Sequence, residues 1–529
     1  MKPHDMGVLF DECAGSGTTV HLDRPFDIAP DGGVEYGVAE LAALVRDAAG
    51  WLAAAGTRPG DRVAIVKANH WDYDLLACAA VRVGAVPAQL SAHLSAETLE
   101  VLLKRLEPAV LVTDVGVLER GRVEGADLGS FARRVLALDG SAPGALTMDD
   151  VRGGPVPAPH RRADYAPLII HHTSGTTGVP KLVVHSTRTI IDKLARFETN
   201  RVPRIGVRTD DTLLNASSYA HGRTFCWTAS VMCLAPRRIT FLTHQDPDRA
   251  DPLLRAHPPT VVEALPATFV RLQPLTERLD NPFRRARLFI STYDAMHPPT
   301  IRAYLTASRR RSPLWMQGWG QTETGPLTFR FHTRRSLHSK YSRKPDTRNL
   351  GRPVPVKTRL RVVDPDTLRP VRRGQTGLIL TRTAALCLDY VGEHERYEAK
   401  RVGKWWNTGD LGLRNRDGSV HLLDREVDRI TDLSCLELED VLEDRLAAAD
   451  ECVVLGCPGV PPLPVVVTED GSLDHAAWRR ATRDLPLLQD PVGLTWSEVP
   501  RTGTGKVRRY ALLEQLTGRT DTSGTGRWT

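Results

Sequence analysis

One short stretch of the chain combines the residue types that bind polyphosphates. Residues 166–181 read APLIIHHTSGTTGVPK, so a short apolar run of strand length leads into small, hydroxylated and glycine residues. A polyphosphate needs closely approaching backbone N–H groups, hydroxyl donors and one cation. The spacing of Gly175, Gly178 and Lys181 differs from that of the phosphate-binding loop G-x-x-x-x-G-K-[ST]. The alternative interpretation of this stretch is a surface turn. The residues predicted to meet the phosphates are Thr173, Ser174, Gly175, Thr176, Thr177, Gly178 and Lys181.

A second stretch, MQGWGQTETG at 316–325, has the groups that a nucleotide base and a metal-bound phosphate need. Trp319 lies between two glycines, where a flat ring can stack on a base. Thr322 and Glu323 put a hydroxyl beside a carboxylate, which suits a phosphate and its Mg²⁺. The alternative is a tight turn with an exposed tryptophan.

Three further groups are candidates for chemistry. Asp410 ends the motif WWNTGD, and Lys506 lies on the glycine loop TGTGK, just before a predicted helix. His221 and Arg223 lie among small residues in LLNASSYAHGRTFCW. A lone histidine is more often structural than functional, so the residues alone leave the role of His221 open.

Alternating helices and strands must position these groups. Residues 38–56 have helical spacing and end at a glycine, and DRVAIVKAN at 61–69 reads as a strand. Residues 73–90 and 97–114 each read as a helix followed by a strand. This order predicts a layered α/β domain with parallel strands. Residues 349–423 are strand-rich, and Asn415-Arg416-Asp417-Gly418 predicts a hairpin.

The character of the chain changes near Asp424. A charged segment, an amphipathic helix and short strands follow. We therefore predict three parts: an N-terminal core over 1–423, a smaller C-terminal domain over 424–516, and a disordered tail over 517–529 rich in Gly, Thr and Ser.

Composition excludes several classes of protein. The chain has 529 residues, 41% hydrophobic and 25% charged, with a formal charge of +7. Over this length the excess is weak evidence for nucleic acid, and the basic run 330–348 reads as a solvated loop. No signal peptide or run of about 18 apolar residues is present. The eight scattered cysteines form no C-x-x-C pair. We expect a cytoplasmic protein with reduced thiols, no zinc site, and no nucleic-acid or membrane partner.

Taken together and in order, TSGTTGVPK, GWGQTETG, WWNTGD, DREVDRI and PRTGTGK are similar to the motifs of one family. The chain resembles the adenylate-forming superfamily of acyl- and aryl-CoA synthetases, adenylation domains and firefly-type luciferases. The resemblance covers roughly residues 8 to 515. It implies a large N-terminal domain of mixed α/β subdomains plus a β-rich subdomain, and a small mobile α+β C-terminal domain. It also implies that ATP and an acid form an acyl-adenylate and pyrophosphate.

The resemblance also implies a role for each matching residue. Thr173 to Lys181 would handle the β- and γ-phosphates. Trp319 would lie against adenine, Thr322 at the α-phosphate and Glu323 at Mg²⁺. Asp410 and Arg425 would meet the ribose, and Lys506 would be the catalytic lysine that bridges the acid and the α-phosphate. The predicted pocket for the acid consists of His221, Arg223, Tyr293, Asp294 and Gly318, with His221 at its entrance.

The sequence departs from the family pattern at four places. The hinge position is Val427, and 430–434 lacks the usual glycines of a loop that helps to form the CoA tunnel. Ser291-Thr292-Tyr293-Asp294 replaces a stretch of small residues in the acid pocket, and Leu182 replaces a glycine. The adenylation residues are therefore intact, whereas those of the second half-reaction are altered.

These features favour an ATP-dependent ligase that activates a small aromatic carboxylic acid as its acyl-AMP. The acceptor is CoA or another acceptor such as an amine, and the protein is a monomer or homodimer. One alternative is a diazotase-type enzyme that adenylates nitrite and transfers it to an aromatic amine. Another is a non-catalytic adenylate-binding scaffold, although Lys506, Glu323 and Asp410 argue against it.

Overall fold

The structure is a computed structural model that describes residues 1–173, 179–337, 347–425, 434–456 and 460–518. Ser174 to Gly178, Val427, residues 430–433, Cys457 and the tail from 519 lie outside the described residues. Among the described residues no pair of cysteines forms a disulfide.

The helices of the described ranges include a π-helical segment at Thr187–Ala195. The α-helices are α1 (Leu9–Cys13), α2 (Val38–Ala54), α3 (Asp72–Val83), α4 (Ala96–Leu106), α5 (Val115–Val123), α6 (Met148–Val151), α7 (Arg196–Glu198), α8 (Gly222–Leu234), α9 (Pro247–Ala256), α10 (Pro266–Leu272), α11 (Pro298–Ala307), α12 (His394–Ala399), α13 (Cys435–Arg445), α14 (His475–Thr482) and α15 (Arg509–Thr517).

The strands belong to three sheets. They are β1 (Thr19–Leu22), β2 (Glu35–Gly37), β3 (Arg62–Lys67), β4 (Val86–Ser91), β5 (Val110–Thr113), β6 (Arg134–Ala137), β7 (Pro167–His172), β8 (Leu182–Ser186), β9 (Thr212–Ala216), β10 (Arg238–Phe241), β11 (Val261–Ala264), β12 (Leu288–Ser291), β13 (Leu314–Gln321), β14 (Gly325–His332), β15 (Asn349–Pro353), β16 (Thr358–Val363), β17 (Thr376–Thr383), β18 (Asp389–Tyr390), β19 (Arg401–Val402), β20 (Trp405–Arg414), β21 (Val420–Arg425), β22 (Glu451–Leu455), β23 (Leu463–Val467) and β24 (Val492–Leu494).

The first sheet confirms the predicted parallel α/β layer. Its seven strands have the order β18-β8-β7-β4-β3-β5-β6, and β3 pairs in parallel with β4 and β5. Helix α2 ends near the expected glycine, since Gly56 has a φ of 93° just beyond it. Strand β7 is the apolar run that precedes the phosphate loop. It is buried from Leu168 onward and pairs antiparallel with β8 on the far side of that loop.

The second sheet joins a parallel layer to the β-rich part of the chain. Its path is β16-β17-β20-β21-β15-β14-β13-β12-β11-β9-β10-β1-β2, with β19 paired to β20. Strands β13, β12, β11, β9 and β10 run parallel, whereas β14 turns back antiparallel. The predicted hairpin at 415–418 joins β20 and β21, with Gly418 at a φ of 87°. The β-rich subdomain is therefore continuous with an α/β layer.

The largest apolar core lies between these two sheets. It combines side chains of β3 and β9 with those of α2, α3 and α8. The rings of Trp71 and Phe241 stack at a centroid distance of 4.2 Å, which ties the start of α3 to β10. The carboxyl ends of parallel strands from both sheets border one region, where α/β folds commonly bind ligands.

The C-terminal part is a small α+β unit, as the family resemblance implies. Strands β22, β23 and β24 form its sheet, and α13, α14 and α15 accompany it. Strand β21 ends at Arg425 and α13 begins at Cys435. The domain boundary at 423/424 stays a prediction, because residues 426–433 lie outside the described ranges.

Candidate active site

A cavity of about 710 Å³ lies at the carboxyl ends of β9, β12 and β13. Residues from segments far apart in the sequence line it, including the C-terminal part. The predicted site residues among its lining are Thr173, Lys181, His221, Arg223, Tyr293, Gly318, Trp319, Thr322, Glu323, Asp410 and Lys506.

The base of the phosphate loop is closed by two hydrogen bonds. The Thr173 N–H donates to the Lys181 carbonyl at 3.0 Å, and the Lys181 N–H donates to the Thr173 hydroxyl at 3.0 Å. The Lys181 ammonium nitrogen lies 5.8 Å from the ring centroid of Tyr390. The one described cation of the loop therefore lies near the Tyr390 ring, while Lys181 itself lines the cavity.

Glu323 is a buried, ionised carboxylate beside this cation. Its side chain receives a hydrogen bond of 2.6 Å from the Tyr390 hydroxyl. Burial acts to raise the pKa of Glu323, but the Lys181 and Lys400 ammonium groups and the Tyr390 hydroxyl hold that pKa below its ordinary value. An ionised carboxylate oxygen is a ligand type that Mg²⁺ prefers. Glu323 therefore fits the metal role that the resemblance implies.

Strand β13 carries Trp319 near its end, and the turn from β13 to β14 carries Thr322. A Cβ at Gly320 would lie 2.2 Å from the carbonyl oxygen of Gly325, so the close pairing of these strands beside the turn requires glycine at that position. His185 fixes the turn from β8, because its Nε2 lies 2.8 Å from the Thr322 carbonyl oxygen. The carbonyl can only accept, so this nitrogen carries the proton.

Asp410 is buried on β20, next to the same turn. The Gln321 amide donates to the Thr408 carbonyl at 2.6 Å and lies 3.5 Å from the Asp410 carboxylate. The ladder between β20 and β21 pairs Asp410 with Arg425. The backbone thus brings together the two residues that the resemblance assigns to the ribose.

His221 is the N-cap residue of α8. Its Nδ1 accepts a hydrogen bond of 3.2 Å from the Arg223 N–H. Burial, together with the charges of Lys506 and Arg223, lowers the pKa of His221 to about 3. The imidazole is therefore neutral, and its proton is on Nε2.

Tyr293 fills space beside this histidine. The two ring centroids are 4.6 Å apart. Tyr293 has a φ of 82°, a left-handed conformation that glycine adopts more readily. A glycine-like turn thus carries a large side chain into the cavity.

One predicted pocket residue lies outside the cavity lining, and another is already paired with carboxylates. Asp294 is exposed and does not line the cavity, and its carboxylate accepts from the N–H of Ala295 at 3.0 Å. Arg223 lines the cavity but forms ion pairs of 2.6 Å with both Glu198 and Glu263. Asp294 therefore lies apart from the other predicted pocket residues, and Arg223 already has two carboxylate partners.

Several lining residues were not found by sequence reasoning. Gln321 lies inside the motif GWGQTETG, whereas the others come from segments without a recognisable motif. These residues are Glu198, Glu263, Gln321, Lys357 and Lys400, with His185 and Tyr390 acting at Thr322 and Glu323.

The glycine loop of the C-terminal part reaches the cavity. The Thr502 N–H donates to the Lys506 carbonyl at 2.8 Å, and Gly505 has a φ of 80°. A Cβ at Gly505 would lie 2.7 Å from the Cβ of Ala267 at the start of α10. The loop therefore packs closely on the N-terminal part, with Thr504 and Lys506 lining the cavity.

The model of the AMP-binding enzyme family matches residues 16–391. The chain belongs to this family. It is 38% identical to the 3-amino-2-hydroxy-4-methoxybenzoate diazotase of Streptomyces cremeus, over 97% of this chain and 96% of that protein. It is 26% identical to a 4-hydroxybenzoate–CoA/benzoate–CoA ligase of Rhodopseudomonas palustris, over 93% of this chain and 90% of that protein.

A solved structure supports the fold. ATP-bound MatB from Rhodopseudomonas palustris has a TM-score of 0.75 and 24% identity, over 98% of this chain and 99% of that one. The family resemblance, the α/β fold class and the prediction of an enzyme are confirmed. This AMP-binding enzyme is an ATP-dependent adenylate-forming ligase. Within the described residues no helix has the length and apolar character needed to cross a bilayer.

Proposed function

We propose that this AMP-binding enzyme adenylates nitrite and transfers the nitroso group to an aromatic amine, which makes it a diazotase. The observation that carries the proposal is the contact between Tyr293 and His221, with ring centroids 4.6 Å apart. The Tyr293 ring occupies cavity space beside His221, on whose pKa the Lys506 charge also acts, whereas the cavity as a whole retains about 710 Å³. A small inorganic acid would fit beside Tyr293 and His221, and a separate aromatic amine would fit in the wider remainder of the cavity.

The similarity to the Streptomyces cremeus diazotase supports this choice. The alignment extends over nearly the whole of both chains at 38% identity, well above the 26% to the benzoate–CoA ligase. The altered junction at Val427 and the missing glycines at 430–434 also favour an acceptor other than CoA.

The reaction balances with ATP, nitrite and the amine as the only reactants. A nitrite oxygen attacks the α-phosphorus, and pyrophosphate leaves. The amine nitrogen then attacks the nitroso nitrogen, the N–O bond breaks, and AMP leaves with the former nitrite oxygen. The amine loses a proton in this step. The resulting N-nitroso amine takes up a proton and loses water, which yields the diazonium group.

The side chains of the site suit the parts that we assign to them in this reaction. Lys506 would neutralise the α-phosphate and the incoming nitrite, and Thr173 to Lys181 would hold the leaving pyrophosphate. Mg²⁺, held by Glu323, would supply further positive charge against the phosphates. Trp319 would stack on adenine, while Asp410 and Arg425 would bind the ribose.

His221 would position the reactants rather than act as a base. Its pKa of about 3 leaves the ring neutral and weakly basic at neutral pH. A neutral Nε2–H can donate a hydrogen bond to a nitrite or phosphate oxygen.

The test is incubation at neutral pH with ATP, Mg²⁺, [¹⁵N]nitrite and 3-amino-2-hydroxybenzoate. We expect nitrite-dependent pyrophosphate release and a diazo product that carries one ¹⁵N atom. A blank without enzyme measures spontaneous diazotisation. Pyrophosphate release that needs the aromatic acid but not nitrite would contradict the proposal.

A second candidate is adenylation of a small aromatic carboxylic acid, followed by transfer to CoA or another acceptor. The similarity to the 4-hydroxybenzoate–CoA/benzoate–CoA ligase favours it. Hydroxylamine traps acyl-adenylates as hydroxamates. An aryl hydroxamate formed without nitrite would therefore support this candidate over the first.

A further inference from the structure

We propose that Lys357 binds an anionic substituent of the aromatic amine, so that the preferred amine is an aminobenzoate rather than a neutral aniline. This inference rests on the proposed function, because it takes the aromatic amine as the occupant of the wide part of the cavity.

Lys357 enters the cavity from the turn between β15 and β16. Val356, just before it, is fully exposed and has a φ of 65°. The Lys357 ammonium nitrogen lies 3.9 Å from the ring centroid of Phe197 and donates to the carbonyl of Lys193. Within the described residues this is its one hydrogen bond, so two of its three N–H groups remain for a ligand.

Lys357 lies beside the middle of α8, whereas His221 and the adenylation residue Lys506 lie near the start of that helix. It interacts electrostatically with Cys226 and Glu198. The Glu198 carboxylate lies 3.9 Å from the Cys226 sulfur and 3.3 Å from the Ser230 hydroxyl. Cys226 is five residues beyond His221, which places it about 7.5 Å further along the helix. One substituted benzene ring spans such a distance, with its amine near His221 and its other substituent near Lys357.

The charge of this region favours an anion. Five charged lining residues are linked by contacts or electrostatic interaction: the cations Lys193, Arg223 and Lys357, and the carboxylates Glu198 and Glu263. Three positive and two negative groups leave one net positive charge. The surrounding walls include apolar side chains such as Leu213 and Trp227. A ligand carboxylate would balance this charge, since an unbalanced charge in an apolar site is unfavourable.

Burial also makes the Lys357 ammonium group more acidic. It lowers the pKa of the ammonium group to about 8, so the group is still mainly charged at neutral pH. A bound carboxylate would stabilise the charged form.

The probes are 3-aminobenzoate and 3-aminobenzamide, which have the same shape but differ in charge. Calorimetric binding is measured with AMP present and nitrite absent. We expect the unmodified enzyme to bind the benzoate at least about ten-fold more tightly than the benzamide, because charged hydrogen bonds are the strong ones. If the unmodified enzyme binds the benzoate and the benzamide equally, or binds no aminobenzoate isomer, the inference is overturned before any variant is made.

The variants are Lys357→Met, Lys357→Arg and, as a control, Lys404→Met at an exposed position. We expect Lys357→Met to weaken benzoate binding by about ten- to a hundred-fold and to leave benzamide binding unchanged. Lys357→Arg should retain the preference in part, and Lys404→Met should retain it fully. Equal weakening of both probes would mean that Lys357 only packs against Phe197, and would overturn the inference.

Nitrite-dependent pyrophosphate release by the same preparations tests the proposed function separately. Its absence from every preparation, with the benzoate preference intact, would refute the diazotase proposal. A lost preference with normal nitrite activity would refute the role of Lys357 alone.

Discussion

At the scale of single residues, the proposed catalytic role of Lys506 can be tested by removing its charge. It lines the cavity beside His221, whose pKa its charge helps to lower. We expect Lys506→Ala to reduce nitrite-dependent pyrophosphate release by about 100- to 1000-fold, because one charge-stabilising donor is lost. ATP affinity, measured by calorimetry, should change little.

The matched control for this prediction is Lys404→Ala, which removes an exposed lysine. It should leave the rate of release unchanged. Full activity of Lys506→Ala would contradict the catalytic role.

We propose that Tyr293 limits the size of the acid that reaches Lys506. Its φ of 82° suits glycine, and its ring fills the space beside His221. We therefore expect Tyr293→Gly to fold well and to gain benzoate-dependent pyrophosphate release. Tyr293→Phe keeps the ring and should exclude benzoate as the unmodified enzyme does. If both variants behave alike with a panel of acids, the ring does not set the acid size.

At the scale of secondary-structure elements, α11 and α13 join the two parts of the enzyme. His297, which caps α11, lies 2.7 Å from Asp440 and 3.5 Å from Glu443 on α13. Burial acts to lower the pKa of His297, but these carboxylates raise it to about 10. The contact thus holds the C-terminal part where Lys506 lines the cavity.

We expect His297→Ala to destabilise the protein by about 1–3 kcal/mol, because two buried acidic side chains lose a hydrogen-bonding cation while Asp440 keeps Arg348 at 3.6 Å. Pyrophosphate release and the thermal unfolding temperature should both fall. The more exposed pair of Arg302 and Asp444 is the control, and Arg302→Ala should cost less than about 1 kcal/mol. Equal effects of the two variants would contradict a special role for His297.

The pH dependence of this contact has a definite sign. A pKa raised above the ordinary 6.5 means that the contribution of His297 is complete below about pH 6.5. It is lost as the pH rises through about 10.

The elements themselves were largely predictable, whereas several side-chain contacts were not. Hydrophobic periodicity located α2, α3 and α4 and the strands beside them, because local spacing determines such patterns. The exposure of Asp294 follows from the left-handed turn at Tyr293, which no local pattern predicts. The neutralisation of Arg223 depends on Glu198 and Glu263, which approach it only in the folded chain.

At the scale of the whole molecule, the proposed reaction takes place between the N-terminal and C-terminal parts and needs no CoA. Both the glycine loop with Lys506 and helix α13 contact the N-terminal part. We expect CoA to leave the rate of AMP formation unchanged, while an aromatic amine accelerates it. AMP formation measured with each acceptor in turn makes this comparison, and a CoA-dependent thioester would contradict it.

The fate of the nitrite oxygen tests the proposed adenylation of nitrite. The enzyme is supplied with ATP, an aromatic amine and oxygen-18-labelled nitrite, and the AMP and pyrophosphate are analysed by mass spectrometry. We expect AMP with one labelled oxygen and unlabelled pyrophosphate, because nitrite would attack the α-phosphorus and the amine would then break the N–O bond. Unlabelled AMP, formed while the amine is diazotised, would contradict adenylation of nitrite.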